Sequence, residues 1–291
     1  MIVTFGSINA DLIYLVDQIP QAGQTVLARG SRTEAGGKGA NQALAAARDG
    51  ADVIMIGAVG NDAMAPIALH NLEREVDISR VVRSKEPTGS AAIMIDTDGR
   101  NMIAVAAGAN LAAQSNGVED ELLRKASYVL MQMENDTVQI ENLIRRVSNY
   151  PAKSILNLAP AHRLKRDLLF LVDIIIVNED EAEALSGWLG CEPSARSLSE
   201  ALDTGVLRTM GGEGAEASIN GEKVAVQALP VKAVDTTAAG DCFVGVLAAA
   251  LDRGLSLNAA MRRASKAAAI ACTRPGSQSS IPRKDETDNW S

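Results

Sequence analysis

The chain has 291 residues, 47% of them hydrophobic and 22% charged, with a net charge of −8. That composition fits an ordinary soluble globule of one large domain or two. The acidic balance, with no basic stripe, excludes general nucleic-acid binding. It does not exclude a nucleotide held by helix N-termini and a metal ion.

In chain order, short apolar runs alternate with helical patterns. Strand-like runs fall at Ile2–Phe5, Val53–Ile56, Tyr128–Met131, Ser154–Leu158, Ile174–Val177 and Val206–Thr209. Helical spacing falls at Ala40–Asp49, Met64–Glu75, Val118–Lys125, Val138–Val147 and Glu181–Leu185. Alternation of this kind predicts an α/β fold with a mostly parallel sheet covered on both faces. Ile174–Val177 is apolar at every position, as a strand buried on both faces should be. Two β-rich segments interrupt the rhythm, Leu12–Glu34 and Ser90–Ala107, the second with Asp98-Gly99 as a hairpin signal. They can pair into a small sheet over the active site or extend the main one, and their closeness to the polar motifs favours the lid. A further hairpin around Ala217–Val226, turning at Asn220-Gly221, is expected to end the main sheet. Gly240–Thr273 reads as two alanine-rich helices with a break near Gly254, followed by a loop at Thr273–Pro282.

Cys191, Cys242 and Cys272 form no C-x-x-C pair and read as buried thiols of a reducing compartment. His70 and His162 lie outside every motif, so no zinc site or His-based triad is assembled from them. The apolar N-terminus is broken by Asn9 and Asp11 and lacks a basic leader. No run of about 18 apolar residues suggests a membrane span. The expectation is a cytoplasmic protein without a membrane or nucleic-acid partner.

The motifs divide between binding and structural readings. In "GSINADL", Asn9 and Asp11 can grip sugar hydroxyls at a strand end, or simply form a turn. "EAGGKGANQA" is a glycine-rich helix entry in which Gly36, Gly37 and Gly39 let backbone approach a ligand while Lys38 and Asn41 donate. Helix capping and tight packing explain it equally well, and it is neither a Walker A sequence nor a dinucleotide fingerprint. Glu134 is expected at a strand end, as a ligand contact or a helix-start acid. Asn178 and Glu181 have capping-box spacing, and Glu181 can alternatively organise hydrated Mg²⁺. "LRTMGGEGA" places a glycine turn after a strand, where Thr209 can reach a phosphate or the turn can merely connect strands. In "VDTTAAGDCFVG", Asp241 enters the first turn of a helix behind small residues. It can cap that helix, or stand beside an anion-binding N-terminus and take a proton from an attacking hydroxyl. Asp235 lies six residues upstream, at the expected end of a strand.

Gly-Gly-Lys-Gly-Ala-Asn near residue 40, Asn-x-x-Glu at 178–181, the glycine turn at 211–214 and Asp-Thr-Thr-Ala-Ala-Gly-Asp at 235–241 come in a telling order. With "GSINADL", "MQME" and "NLAPA", they resemble the ribokinase-like, phosphofructokinase B type, carbohydrate kinase family over nearly the whole chain. The resemblance implies a three-layer αβα core (1–11, 35–88 and 108–291) with a β lid (12–34 and 89–107). It implies ATP-dependent phosphorylation of a small sugar, D-ribose at its 5-hydroxyl foremost. Asp241 would be the base, and the N–H groups of Ala238, Ala239, Gly240 and Asp241 an anion hole. Asn9, Ala10, Asp11, Gly37, Lys38, Gly39, Ala40, Asn41 and Glu134 would bind the sugar. Asn178, Thr209, Met210, Gly211, Gly212, Glu213 and Gly214, with Gly240 and Asp241, would line the ATP site, and Glu181 would join the Mg²⁺ network. A monovalent cation, K⁺, would lie among Asp235, Thr237, Ala271, Arg274, Gly276 and Ser280. Two lids clasping one another would make a homodimer. Ser265 departs from the family's adenine-pocket pattern, and Ser186–Glu200 matches it poorly.

The alternatives are a kinase of the same fold for another sugar or a nucleoside, and a catalytically idle sugar- or nucleotide-binding regulator. With only 3% aromatic residues, a small sugar is favoured over a nucleoside base. The complete Asp241 turn argues against the idle reading. An NAD-dependent oxidoreductase fails for want of a fingerprint after the first strand.

Overall fold

The apolar runs become the inner strands of a nine-stranded sheet in the computed structural model, which describes residues 1–98 and 100–290. In chain order the strands are β1 (Ile2–Phe5), β2 (Asn9–Leu15), β3 (Gly30–Gly36), β4 (Val53–Gly60), β5 (Asp77–Ser84), β6 (Gly89–Ile95) and β7 (Asn101–Ala106). They continue as β8 (Tyr128–Met131), β9 (Lys153–Asn157), β10 (Ile174–Val177), β11 (Gly205–Thr209), β12 (Ala215–Ile219) and β13 (Glu222–Val226). The large sheet has the order β13-β12-β11-β10-β9-β8-β1-β4-β5. It is parallel from β11 through β5; β12 alone runs against the others, pairing antiparallel with both β11 and β13. Asn220 and Gly221 turn that hairpin, both with positive φ (51° and 79°).

Strand periodicity sorts the core into two layers. Ile174 and Ile176 face one apolar cluster, and Ile175 and Val177 face the other. The first cluster packs against the alanine-rich helices Lys38–Arg48, Ala239–Asp252 and Leu257–Cys272, and the second against Thr137–Val147. Small residues let the first layer pack closely. A Cβ on Gly245 would lie 2.3 Å from the Gln42 carbonyl oxygen, so the Ala239 and Lys38 helices touch backbone to backbone there. Arg253 and Gly254 end the Ala239 helix at the expected break.

The two β-rich segments do pair with each other. They form a separate four-stranded sheet of order β3-β2-β6-β7. Its strands run through Asn9–Asp11 and Ala35-Gly36, so the small sheet is rooted in the first two motifs. The expected hairpin turn at Asp98-Gly99 includes Gly99, which lies outside the described residues.

Four details depart from the sequence-based expectation. Met64–Glu75 is two short helices, Met64–Leu69 and Leu72–Glu75, not one. β5 is an addition, because an edge strand with its charged residues exposed shows no apolar run. The helix Ala195–Leu202 is another; Ser194 caps it by accepting from Ser197 N. No strand precedes Asp235. The N–H groups of Val234 and Asp235 instead both reach the Cys272 carbonyl, at 2.8 and 3.3 Å.

Candidate active site

The site lies where the C-terminal ends of β1 and β8, the root of β2 and the starts of the Lys38 and Ala239 helices converge. Ligands bind in such places in open α/β sheets, at the carboxyl ends of the strands.

Asp241 is buried in the first turn of the Ala239 helix, but it caps nothing. Its Oδ2 accepts from Asn41 Nδ2 at 2.9 Å and its Oδ1 from Gln42 Nε2 at 3.0 Å, both on the facing helix. The helix N-terminus is thus left to other partners. Among the described residues, no hydrogen bond is made by the N–H of Ala238, Gly240 or Asp241, while that of Ala239 points to the Thr236 carbonyl at 3.2 Å. Ala238 itself is held at φ 59°, a conformation that costs a non-glycine residue about 1 kcal/mol or more. A Cβ on Gly240 would meet no atom within 4 Å. Three free donors, an open approach and a strained turn make a cradle for an anion beside a carboxylate.

Asp11 sits on β2, and its carboxylate leans on Gly36, where a Cβ would come within 2.0 Å of Oδ2. Burial first, then the charges of Glu134, Asp241 and Glu34, push the Asp11 carboxyl up to about 7 against the opposing pull of Lys38. The Lys38 ammonium is raised above its ordinary value, chiefly by Asp241 and against the effect of burial, with Glu134, Glu181 and Asp11 adding to it. One lysine therefore stands among four carboxylates. Asp11 Oδ1 and Asn41 Oδ1 are both buried with no hydrogen-bond partner, two acceptors awaiting donors. Sugar hydroxyls supply donors of that kind.

The glycines of the first motif serve packing. A Cβ on Gly39 would lie 2.5 Å from Ser7 N, and one on Gly37 2.8 Å from Asn9 N. Glu134 caps a helix, though not the one that follows it. Its Oε2 accepts from Lys38 N at 3.2 Å and from Ser7 Oγ at 2.5 Å, whereas Asp136 caps Thr137–Val147. Ala10 and Ala40 are buried in the apolar core. A cavity of about 400 Å³ opens beside Glu134, lined in part by Val105, Leu111, Met133, Val138 and His162.

Asn178 and Glu181 form the complete capping box, at 2.8 and 2.9 Å. Glu181 is nonetheless buried, and desolvation raises its carboxyl, partly offset by the Asn178 N–H and by Lys38. Met210 N and the Gly214 carbonyl close the Gly211–Glu213 turn at 2.8 Å. Gly214 is required by the neighbouring strand, since its Cβ would sit 2.0 Å from the Val226 carbonyl oxygen. Gly211 and Gly212 face open space instead. The Thr209 hydroxyl turns to the Val177 carbonyl at 3.5 Å.

Asp235 ties two loops together, accepting from Thr237 N at 2.9 Å and Gly276 N at 3.0 Å. Burial opposes its charge, but these bonds and Arg32 outweigh it and hold the carboxyl below the usual range. Ser280 is buried, with its hydroxyl on the Ser277 carbonyl, and the Arg274 side chain turns away to Glu286. The Ala271 carbonyl accepts from Arg274 N. Among the described residues, no group of three or more His, Cys, Asp or Glu is placed to hold a metal ion.

Several buried amides were missed by the motif reading. Asn110 donates to Asn9 Oδ1 at 2.7 Å and accepts from Ile8 N at 2.9 Å. Gln42 and Gln132 are buried completely, and Asn157 nearly so. A signal existed for one of them, because Gln132 interrupts the otherwise apolar run "YVLMQM", where a polar side chain must find a partner.

Comparison with known proteins identifies the family. The model of the pfkB family of carbohydrate kinases matches residues 1–284. Ribokinase of Haemophilus influenzae is 37% identical over 295 residues, covering 98% of this chain and 96% of that one. The crystal structure of ribokinase from Thermotoga maritima superposes with a TM-score of 0.91 at 32% identity, covering 99% and 98% of the two chains. The structure of Arabidopsis thaliana ribokinase complexed with ribose and ATP gives 0.88 at 30% identity over 100% and 99%. The chain belongs to the pfkB family of carbohydrate kinases.

Proposed function

We propose that the protein transfers the γ-phosphoryl group of ATP to the 5-hydroxyl of D-ribose, giving ribose 5-phosphate and ADP. The observation that carries this reading is Asp241. It is a buried carboxylate held on both oxygens by side-chain amides, beside a helix N-terminus with free N–H groups. Phosphoryl transfer needs a positioned hydroxyl, an acceptor for its proton and dipoles for the charge on the phosphoryl oxygens. Asp241 takes the proton, and Ala238, Gly240 and Asp241 present the dipoles. Asp11, Asn9, Lys38, Asn41 and Glu134 bind the sugar, the two orphaned oxygens of Asp11 and Asn41 accepting from its hydroxyls. The open faces of Gly211, Gly212 and Gly240 admit the nucleotide. The Arabidopsis relative, a ribokinase complexed with ribose and ATP, supports the same pair of substrates.

Two ions complete the proposal. Mg²⁺ would arrive with ATP and be held through water by Glu181, a buried carboxylate whose ionised form gains from a nearby cation. It supplies neutralisation of phosphate charge. K⁺ would sit between the loops that Asp235 joins, where an ionised carboxylate and carbonyls of Thr237, Ala271, Arg274 and Gly276, with Ser280 near, offer the hard oxygen donors it prefers.

The small sheet serves as a lid and, in a homodimer, as the interface. β7 is its edge, and Met102, Ile103 and Val105 on that strand are about half exposed (48%, 51% and 51%), an apolar edge that a second copy would cover. No helix among the described residues is long and apolar enough to cross a membrane, and we place the enzyme in the cytoplasm.

The test is ADP formation from MgATP with D-ribose, 2-deoxyribose, fructose or adenosine, in K⁺ or in Na⁺ alone. Ribose-dependent turnover stimulated by K⁺ is expected. Asp241→Asn should lower it at least ~10²-fold, the low end of general-base contributions. A folded Asp241→Asn protein with near-normal turnover would overturn the assignment of the base. Preference for another member of the panel would move the specificity. Sugar and ATP binding without turnover would return the idle regulator.

A further inference from the structure

Behind Asp241 runs a line of buried amides that the reaction as described does not use. It begins at the Ile176 carbonyl, on β10. Asn157 Nδ2, at the end of β9, donates to that carbonyl at 3.2 Å. Asn157 Oδ1 accepts from Gln42 Nε2 at 2.9 Å, and the same Nε2 donates to Asp241 Oδ1 at 3.0 Å. Gln42 Oε1 accepts from Gln132 Nε2 at 2.6 Å. Gly6 makes room for Gln132, since a Cβ there would lie 2.1 Å from Gln132 Oε1.

Chemistry sets the direction of every link. A backbone carbonyl only accepts, so Asn157 must face Ile176 with its NH₂ and Gln42 with its oxygen. Gln42 must then offer its NH₂ to Asn157, and the same NH₂ meets the carboxylate. A flipped Gln42 amide would set its oxygen against the oxygens of Asn157 and Asp241, and its NH₂ against that of Gln132. All three hydrogen-bonding positions used by Gln42 are thus determined, and each amide in such a line polarises the next. Asn41 holds the other carboxylate oxygen.

We infer that Gln42 is a positioning residue: it transmits the fixed geometry of the strand ends to Asp241 and sets the orientation of that carboxylate toward the sugar hydroxyl. This rests on Asp241 being the base. Gln42 has no exposed surface to offer a substrate, so its effect on the reaction passes through its bond to Asp241.

The experiment is a double-mutant cycle between Gln42→Met and Asp241→Asn, read as kcat and as KM for ribose and ATP. Methionine keeps the length and removes the amide. Gln42→Met is expected to lower kcat by about tenfold to a hundredfold, the usual cost of misplacing a reacting group by about 1 Å, with both KM values changed less than about threefold. In the Asp241→Asn background the same substitution should change the residual turnover less than about twofold, since its target is gone. An equal loss in both backgrounds marks a merely structural role and overturns the inference, as does a folded Gln42→Met enzyme with unchanged kcat. If Gln42→Met does not fold, Gln132→Met runs the same cycle from one link further out, with an expected loss of about threefold confined to the Asp241 background. No loss, or an equal loss in both backgrounds, overturns it there. Near-normal turnover of Asp241→Asn alone would instead bring down the base assignment, a separate result.

Discussion

Asp11→Asn should stabilise the sugar-free protein at neutral pH while disabling it. The Asp11 carboxyl rises from 3.8 to about 7 because it is buried among Glu134, Asp241 and Glu34. Between those two values the folded chain keeps a proton that the unfolded chain has released, so stability falls as pH climbs through the window. Above it, the folded state carries a buried and repelled charge. At about 1.4 kcal/mol per tenfold change in proton affinity, the cost is roughly 4 kcal/mol. Asparagine preserves the shape and removes the charge; the pull of Lys38 is already within that figure, and relaxation of the surroundings and water penetration around a buried charge are expected to reduce it by about half. About 2 kcal/mol of net stabilisation at pH 8, shrinking towards zero by pH 4, is therefore expected. Urea unfolding of both proteins at pH 4, 6 and 8, without sugar, measures it. A variant no more stable than the parent at pH 8, or a difference that ignores pH, would refute the reasoning. Saturating ribose should reverse the ranking at pH 8. A ligand at a hundred times its Kd adds about 2.7 kcal/mol to the protein that binds it, and the variant would receive little of this.

Other expectations follow from the packing. Gly39→Ala should lose about 1–3 kcal/mol in urea unfolding, because its Cβ would meet the backbone of Ser7 and Gly6 within 2.6 Å; an unchanged midpoint would contradict the close approach. Gly212→Ala has open space for its methyl group and should unfold within about 0.5 kcal/mol of the parent. Its KM for ATP should rise several-fold while that for ribose stays put, and equal effects on both would remove the turn from the nucleotide site. Sedimentation at micromolar concentration should give a dimer, which Ile103→Asp on the exposed edge of β7 should convert to monomer. A monomeric parent protein would leave that edge without its proposed cover.

The parallel strands were legible because a strand buried on both faces can contain little but apolar residues, as Ile174–Val177 does. β5 was not, since "DISRVVRS" buries little of either face and its charges mask the period. Nor was the path of Val231–Asp235, whose mixed apolar and polar residues look like a strand until the carbonyl of Cys272 claims the N–H groups of Val234 and Asp235. Carboxylates and glycine clusters announced the site, but their local roles divided in ways that spacing alone does not decide. Glu134 caps a helix 96 residues away from it, and Gly37 and Gly39 are small for the sake of backbone contact while Gly211 and Gly212 are not. The amides were the least visible. Gln42, Gln132 and Asn157 carry no charge and are joined to one another and to Asp241 across separations of 90 to 199 residues, which only the assembled sheet brings together.

The rooting of the small sheet has an engineering consequence. β2 begins at Asn9 and β3 ends at Gly36, and the two residues face each other in the ladder with Gly89 on the far side of Asn9. Gly89 has no room for a Cβ because the Asn9–Asn110 bond lies 2.2–2.3 Å from where it would be. The sheet is therefore not a cassette. Exchanging it between relatives would carry Asn9 and Asp11 along with it, and would import a tilt that Asn110, on the core, was never fitted to. A chimera meant to alter only the cover of the site would change its floor as well, and grafts that respect the boundary would have to move residue 110 together with the strands.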